Sequence, residues 1–544
     1  MNRGSCSESL SSSAIKVPGR PAFIALLTTL LFSLIWGCVL GKNLVVTDPS
    51  AVVGTWTTTA EVGNMLGATQ TLHRIVHVWI DSAGSLQVSI DEVEEHIEGV
   101  RADNAQFKDG RFSYEVPGAG SYTGTLSLDQ NTIDGTWDQS GVKMPSVLIR
   151  HTYGPLPTAM PTPTPAPAIP PLALDHLKPI LDREMEPVLA HGLLSPQSGG
   201  GLVIGVLDHG QRQIFAYGTA KADSIFGIAS ITKTFTGLVL AQMVVQKKVA
   251  LDQPIRTLLP SGFVPKPDGP EITLLDLATH HSGLPREPDN LKPKSPENPY
   301  TDYDATQLRE FVDKHGVSRP ADAGFLYSNV GFGLLAYGLS VRAEIPYEQL
   351  LASEVLGPLH LKDTGITLSP QQRARLIQGY DIQFDPVGPL DFDVLAGAGA
   401  IRSTADDMLT YLDANLHPEK YAKGAAAGSP AASLPAAIAL DHQVRAQVGE
   451  NASIALAWLF DPKTQSYSHE GLTAGYGSLA QFTPERDRAI VVLYNRLEFS
   501  FGPMRFPQRV AENVSQLMSG QPSIPLDVLS ADDRASLNRL THSH

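Results

Sequence analysis

Ser230 and Lys233 stand three residues apart in the run Phe226-Gly-Ile-Ala-Ser230-Ile-Thr-Lys233-Thr-Phe-Thr-Gly-Leu-Val-Leu-Ala. An apolar stretch ends at the serine, and a helix-period set follows at once: Phe235, Leu238, Val239, Gln242 and Val245. Residues three apart at a helix start share a face, so the amine can reach the hydroxyl. A serine hydroxyl is a weak nucleophile until an adjacent base takes its proton. Lysine becomes such a base when burial or a neighbouring cation lowers its pKa. The pair alone is weak, because Ser13-Ala-Ile-Lys16 in the N-terminal tail has the same spacing.

Two later motifs carry matching chemistry. The chain has a single Tyr-x-Asn, Tyr327-Ser-Asn329, and it precedes the helical stretch Val330-Gly-Phe-Gly-Leu-Leu-Ala. A loop entering a helix can present a phenol that moves protons and an amide that binds a substrate. Further on, Tyr467-Ser-His-Glu-Gly-Leu-Thr-Ala-Gly-Tyr-Gly-Ser478 contains His469-Glu470-Gly471 at the expected start of late strands. His281-Ser-Gly283 also fits His-x-Gly, so that motif too needs its context.

The elements that must position these residues are readable from pattern. Strands are expected at Gly201–Asp208 and Gln211–Tyr217, joined at His209-Gly210, and a hairpin at Leu479–Thr483 and Ala489–Tyr494 around Pro484-Glu-Arg-Asp487. A helical pattern (Leu174, Leu177, Ile180, Leu181) opens this region, and another (Val510, Val514, Leu517) closes it. Strands at both ends with helices between predict an α/β (α+β) fold: an antiparallel sheet whose first and last strands meet, flanked by helices, plus an all-helical subdomain. Ser403-Thr-Ala-Asp406 reads as a helix capping box.

In front of it, residues 44–153 read as a small all-β domain. Val76–Ile80, Leu86–Ile90, Phe112–Val116 and Tyr122–Leu128 alternate, with turn residues between them. Short strands with tight turns predict an antiparallel meander that is closed or stacked to hide its edges. Gly54-Thr-Trp56 and Gly135-Thr-Trp137 recur near its ends, as core tryptophans or as an aromatic ligand platform. Residues 154–172 alternate Pro with small residues, an extended spacer that can hold two domains about 50 Å apart at about 3.1 Å per residue. The large domain spans residues 173–520, and residues 521–544 form a polar tail.

Residues Ala22–Gly41 are uncharged and apolar, with Arg3, Lys16 and Arg20 before them. Twenty such residues can cross a bilayer, and the basic flank should stay cytoplasmic. Residues 1–43 are therefore expected to be a signal or membrane anchor, with a tether through residues 22–41 and the remainder exported. Ile35-Trp-Gly-Cys38 resembles a bacterial lipoprotein cleavage box, so the kind of tether stays open.

Composition removes other classes. The 544 residues carry a net charge of −15 without a basic block, which argues against nucleic acid. Cys6 and Cys38 are the only cysteines, so the folded part has no thiolate chemistry or disulfide. The histidines lack metal-ligand spacing, and no metal or cofactor is expected.

Ser-x-x-Lys, then Tyr-x-Asn, then His/Lys-x-Gly is the motif order of penicillin-recognising serine hydrolases. The sequence resembles the class C β-lactamase-like branch of that family, which includes DD-peptidases and esterases. Ile272-Thr-Leu-Leu-Asp-Leu-Ala-Thr-His-His-Ser-Gly-Leu-Pro-Arg286, Tyr327–Leu335, Gly397–Asp406 and His469–Tyr476 extend the resemblance over about residues 175–518. It implies that Ser230 is acylated and that Lys233 and Tyr327 share its proton. The backbone N–H groups of Ser230 and Leu472, the residue after Gly471, would hold the oxyanion. Asn329 would position the substrate amide, and His469 would bind the substrate carboxylate or tune Tyr327.

Many β-lactamases of this branch have Lys where His469 stands, and a histidine near its ordinary pKa of about 6.5 holds a carboxylate less firmly. Some DD-peptidases and many esterases of the family do use His there, so the expected activity is an exported D-alanyl-D-alanine carboxypeptidase/endopeptidase-like or β-lactamase-related serine hydrolase rather than an efficient β-lactamase. Its substrate would be a small molecule or a peptidoglycan peptide. A carboxylesterase is the alternative. A non-catalytic penicillin-binding or wall-binding protein should have lost Ser, Lys or Tyr, and all three remain.

Overall fold

A computed structural model describes residues 48–151 and 170–526, apart from short stretches within each range. The expected anchor (1–43), the second Ser-x-x-Lys, most of the Pro-rich linker and nearly all of the tail lie outside the described residues. The chain forms two compact units.

The first unit is built on a closed antiparallel barrel of eight strands in sequential order. These are β1 (Gly54–Gly63), β2 (Thr69–Ile80), β3 (Leu86–Glu92), β4 (Ile97–Lys108), β5 (Arg111–Val116), β6 (Gly120–Leu126), β7 (Thr132–Gln139) and β8 (Val142–Arg150). Pairing of β1 with β8 closes the cylinder, so no strand edge is left open. The alternation seen in sequence turns Phe112, Tyr114 and Val116 of β5 inward. Tyr114, Tyr122 and Trp137 lie opposite one another on β5, β6 and β7. Tyr114 and Tyr122 stack with ring centroids 5.3 Å apart.

The Tyr122 phenol passes over the Gly124–Gly135 pair and donates to the Ile133 carbonyl at 2.9 Å. A Cβ on Gly135 would sit 2.4 Å from the Tyr122 phenol oxygen, which is why glycine stands there. Trp56 and Trp137 are both buried, and Trp56 Nε1 donates to the Val52 carbonyl at 2.8 Å. Of the two sequence readings, these are core tryptophans rather than an exposed platform.

The second unit opens with α1 (Leu177–Ala190), whose Leu177, Leu181, Met185 and Val188 are buried. The hairpin of β9 (Gly201–Asp208) and β10 (Gln211–Gly218) turns at His209 and Gly210, both with positive φ (50° and 74°). Two residues of positive φ give the tight turn that matches the strand twist. The core elements that follow are α2 (Thr232–Val245), α3 (Asn329–Ala343), α4 (Ala405–Leu416) and α5 (Pro430–Asp441). The chain then returns through β11 (Leu459–Asp461), β12 (Ser466–Thr473), β13 (Tyr476–Thr483) and β14 (Arg488–Tyr494), and α6 (Phe506–Met518) ends the unit.

The antiparallel sheet runs β10-β9-β14-β13-β12-β11, continued by two-residue strands at Ser453–Ile454 and Ala446–Gln447. The first and last long strands do meet, with Val206 opposite Ile490 and Ile204 opposite Val492. Leu202, Ile204 and Val206 pack with α1 and α6 on one face, and Val203 and Leu207 join the main core on the other. Burial on both faces explains why β9 reads as a continuous apolar run rather than an alternating one.

The helix-period set in α2 gives no measure of how far the helix is enclosed, and Thr232 through Met243 are all buried. A helix without a solvated face belongs in the middle of a large core. The cap of α4 is Thr404 rather than Ser403: Thr404 Oγ1 accepts from Asp407 N at 3.2 Å. Ser403 is drawn inward instead, 2.8 Å from Thr364 Oγ1, in a two-residue strand that pairs Phe226-Gly227 with Arg402-Ser403.

Candidate active site

The short strand Phe226–Gly227 delivers the chain into a 3-10 turn, Ala229–Ile231, directly before α2. Ala229 has φ of 48°, a left-handed conformation rarely adopted by a residue with a side chain. Such strain persists only where surrounding contacts impose it, and it clusters at functional sites. Here Ile228 N donates to the Ile401 carbonyl at 3.0 Å, Ile401 N donates to Thr232 Oγ1 at 3.1 Å, and Ser478 Oγ donates to the Ile228 carbonyl at 2.9 Å. The turn is held from both sides, and Ser230 sits partly exposed at its tip.

Lys233 lies one turn on, fully buried. Its Nζ is 2.8 Å from Asn329 Oδ1, 2.7 Å from the Ala398 carbonyl oxygen and 3.0 Å from Ser230 Oγ. Burial drives its pKa well below the usual lysine range, the Arg286 charge lowers it further, and Glu287 opposes both. Two of its three neighbours are carbonyl-type oxygens that can only accept, so each takes an N–H. The third direction faces the serine. An ammonium would donate there, and a neutral amine presents its lone pair to the hydroxyl.

Asn329 begins α3, with Ser328 as its cap: Ser328 Oγ accepts from Gly331 N at 2.9 Å and donates to the Pro285 carbonyl at 2.6 Å. The loop 280–287 is stitched to this entry. Leu326 N donates to the His280 carbonyl at 2.8 Å, Ser328 N to His280 Nδ1 at 3.0 Å and Asn329 N to the Arg286 carbonyl at 2.8 Å. These bonds place Tyr327 beside the lysine. Its ring stacks on His280 (centroids 4.3 Å apart), with Lys233 Nζ 4.8 Å and the Arg286 guanidinium 4.9 Å from the ring centre.

His469 and Gly471 lie on β12. β11 pairs with β12 only as far as Ser468, so among the described residues no strand covers that edge from His469 onward. The serine turn occupies the vacant edge. A Cβ on Gly471 would sit 2.2 Å from the Ile228 carbonyl oxygen and 2.3 Å from Ser478 Oγ, so only glycine allows this approach. Leu472 follows on the same strand, opposite Gly477 of β13.

His469 is 4% exposed. Its Nδ1 lies 2.6 Å from the Glu470 carbonyl and must donate to it, leaving Nε2 as the acceptor. Burial, then the nearby Lys233, lower its pKa to about 3, so it is neutral at pH 7. The sequence reading of His469 as a partly charged group is corrected: the neutral ring offers no cation to a carboxylate. A cleft of about 200 Å³ opens at the end of β12, lined among others by Gly227, Pro389, Phe392, Thr473 and Tyr476.

Ser230, Lys233, Tyr327, Asn329, His469, Gly471 and Leu472 thus converge from three separate segments. Sequence reasoning passed over four participants. His280, Arg286 and Glu287 occur in the Thr279–Glu287 stretch, whose density of polar residues beside Gly-Leu-Pro was the available signal. Ala398 takes part through its backbone, which side-chain types do not reveal.

Comparison with known proteins adds the family. The Beta-lactamase family model matches residues 189–512, more than half of the chain. The chain is 27% identical over 366 residues to a beta-lactamase of Pseudomonas fluorescens, covering 59% of this chain and 94% of that protein. It is 31% identical over 231 residues to the D-alanyl-D-alanine-carboxypeptidase/endopeptidase AmpH of Escherichia coli (strain K12), covering 41% of this chain and 58% of that one. A solved class C beta-lactamase superposes with a TM-score of 0.50 at 21% identity, over 63% of this chain and 95% of its own. A beta-lactamase/D-alanine carboxypeptidase from Pseudomonas syringae does so with the same score at 20% identity, over 63% and 98%. These structural matches carry the fold, and the family-model match carries the membership: the chain belongs to the beta-lactamase family of serine hydrolases.

Proposed function

We propose that the chain is an exported acyl hydrolase that works through a Ser230 acyl-enzyme and cleaves peptides ending in D-alanyl-D-alanine. The observation that carries the reading is the environment of Lys233: a buried amine with two N–H groups committed to acceptors and its remaining direction toward Ser230 Oγ. In this scheme Ser230 Oγ attacks the substrate carbonyl carbon while its proton passes to Lys233, with Tyr327 in the same relay. The backbone N–H groups of Ser230 and Leu472 hold the oxyanion. As the C–N bond breaks, the proton goes to the departing amine. Water then adds to the ester carbonyl and releases Ser230. Asn329 binds the substrate amide as well as the lysine. The apolar segment 22–41 tethers the enzyme on the outer side of a membrane.

Neutral His469 supplies no cation to a substrate carboxylate, which a β-lactam and a D-alanyl-D-alanine terminus both carry, so another group has to meet that end of the peptide. The same observation favours a second reading, a carboxylesterase, because an ester needs no cationic anchor. One set of assays decides. Fluorescent penicillin should label the wild type covalently and leave Ser230→Ala unlabelled. Labelling that survives the substitution removes Ser230 as the nucleophile. A D-alanyl-D-alanine peptide, a chromogenic cephalosporin and a p-nitrophenyl ester, compared by kcat/KM, rank the substrate classes. An ester preference without peptide turnover overturns the peptidase reading.

A further inference from the structure

We infer that Glu287 is a positioning residue of the acylation centre, a carboxylate that fixes the Asn329 amide so that its oxygen faces Lys233. The inference rests on the proposed role of Lys233 as the base.

An asparagine amide has an accepting end and a donating end, and only the accepting end suits the N–H groups of Lys233. Asn329 is oriented correctly because its Nδ2 donates to Glu287 Oε1. The same oxygen accepts from the Tyr300 phenol at 3.1 Å. Both partners donate, so the carboxylate serves purely as an acceptor. Flipping Asn329 would break the bond to Glu287 and set an NH2 group against the lysine.

Glu287 also reaches the other arm that holds Lys233. The Tyr300 ring stacks on Phe392, with centroids 4.7 Å apart and planes 12° from parallel. Phe392 leads directly into the 3-10 turn Asp393–Ala398, whose final carbonyl is the lysine's second acceptor. One carboxylate therefore links, through one aromatic pair, the side-chain acceptor and the backbone acceptor.

Burial raises the pKa of the Glu287 carboxyl, while the bond from Asn329, the Arg286 charge, the bond from Tyr300 and the Lys233 charge favour its anion, and that anion acts on the lysine in turn. The groups facing Lys233 are the Arg286 guanidinium, the Glu287 carboxylate, the rings of His280 and His469, and the Tyr327 ring. Burial keeps His280 and His469 neutral. Glu287 is the one anion among them, and its charge favours the ammonium form of the lysine. The carboxylate thus orients the amide while moderating the loss of basicity that burial imposes.

The test uses the full-length protein with Glu287→Gln and Glu287→Ala, read by kcat and KM on a p-nitrophenyl ester across pH and by the rate of fluorescent-penicillin acylation. Glu287→Ala frees Asn329 and should lower kcat by about tenfold or more, with KM within about threefold, because misplacing a catalytic partner acts on the chemical step. Glu287→Gln keeps an acceptor for Asn329 and Tyr300 and should recover most of that loss. Having lost the charge, it should move the acid limb of kcat/KM to lower pH by about half a unit or more. If the Glu287→Gln limb coincides with the wild-type limb and Glu287→Ala keeps its kcat, the inference is wrong. A variant that only lowers Tm, with kcat per folded molecule unchanged, is likewise against it. Should Ser230→Ala still be labelled, the acylation reading itself fails, whatever the Glu287 variants do.

Discussion

Gly471→Ala tests whether the approach of β12 to the nucleophile turn sets the reaction geometry. The added methyl would lie 2.2 Å from the Ile228 carbonyl oxygen and 2.3 Å from Ser478 Oγ, whereas ordinary contact begins near 3.4 Å. Ser478 can rotate away, but it would surrender its 2.9 Å bond to that same carbonyl. The Ile228 oxygen is backbone, two residues before Ser230, and Ile228 N is tied to Ile401. Relief therefore requires β12 and the turn to separate by about 1 Å, the shortfall between the two distances. In the proposed mechanism the separation widens the gap between the two oxyanion donors.

A displacement of that size costs on the order of a hundredfold in rate, and losing one oxyanion donor costs about 10²–10³ in kcat. We expect kcat on the p-nitrophenyl ester, and the rate of penicillin acylation, to fall by about 10²-fold, equivalent to about 2.7 kcal/mol in the barrier. Overpacking should lower stability by about 1–3 kcal/mol, which thermal unfolding followed by circular dichroism separates from the kinetic effect. The double variant Gly471→Ala/Ser478→Ala removes one of the two collisions and should regain part of the rate. A folded Gly471→Ala protein with kcat within about threefold of wild type would refute the reasoning.

Two further predictions concern buried titratable groups. Burial lowers the pKa of His442 to about 4, while its Nε2 stays 2.8 Å from Asn415 Oδ1. The unfolded chain binds this proton near pH 6.5, so stability is complete above that pH and declines as pH falls toward 4, by up to about 1.4 kcal/mol per pH unit. His442→Gln keeps a donor for Asn415 and should flatten Tm against pH across that window; an unchanged slope would count against the assignment. Asp441, at the end of α5, is wholly buried, and burial pushes its acid well above the usual range, with only the Trp458 side chain opposing it. Its folded pKa is raised, so it favours folding below the unfolded value of about 3.8 and opposes folding increasingly as pH rises. Asp441→Asn should stabilise the protein by about 1–3 kcal/mol at pH 7, with the gain shrinking toward pH 4; equal melting temperatures at both pH values would contradict this.

Local pattern determined a good deal of this protein. Period-2 alternation marked four of the eight barrel strands, because a half-buried strand must show its two faces in turn. The Ser230–Lys233 spacing marked a shared helix face for an equally local reason. The order of Ser-x-x-Lys, Tyr-x-Asn and His-x-Gly supplied the family, and the same residues meet in space.

What the sequence left undetermined depends on distance along the chain. Ala398 and Asn329 reach Lys233 from 165 and 96 residues away, and Ile228 meets Gly471 across the sheet. The enclosure of α2 comes from surrounding elements that its own periodicity does not report. The shift of the α4 cap from Ser403 to Thr404 follows from the pairing of Ser403 with Phe226, a tertiary contact overriding a local motif. The charge state of the site was also decided in three dimensions. His469 has an ordinary histidine's composition and a pKa of about 3, because proton affinity depends on what water and which charges surround the ring. Residue types name the groups able to do chemistry, while burial and neighbours set which of them hold a proton, and only the folded chain fixes those.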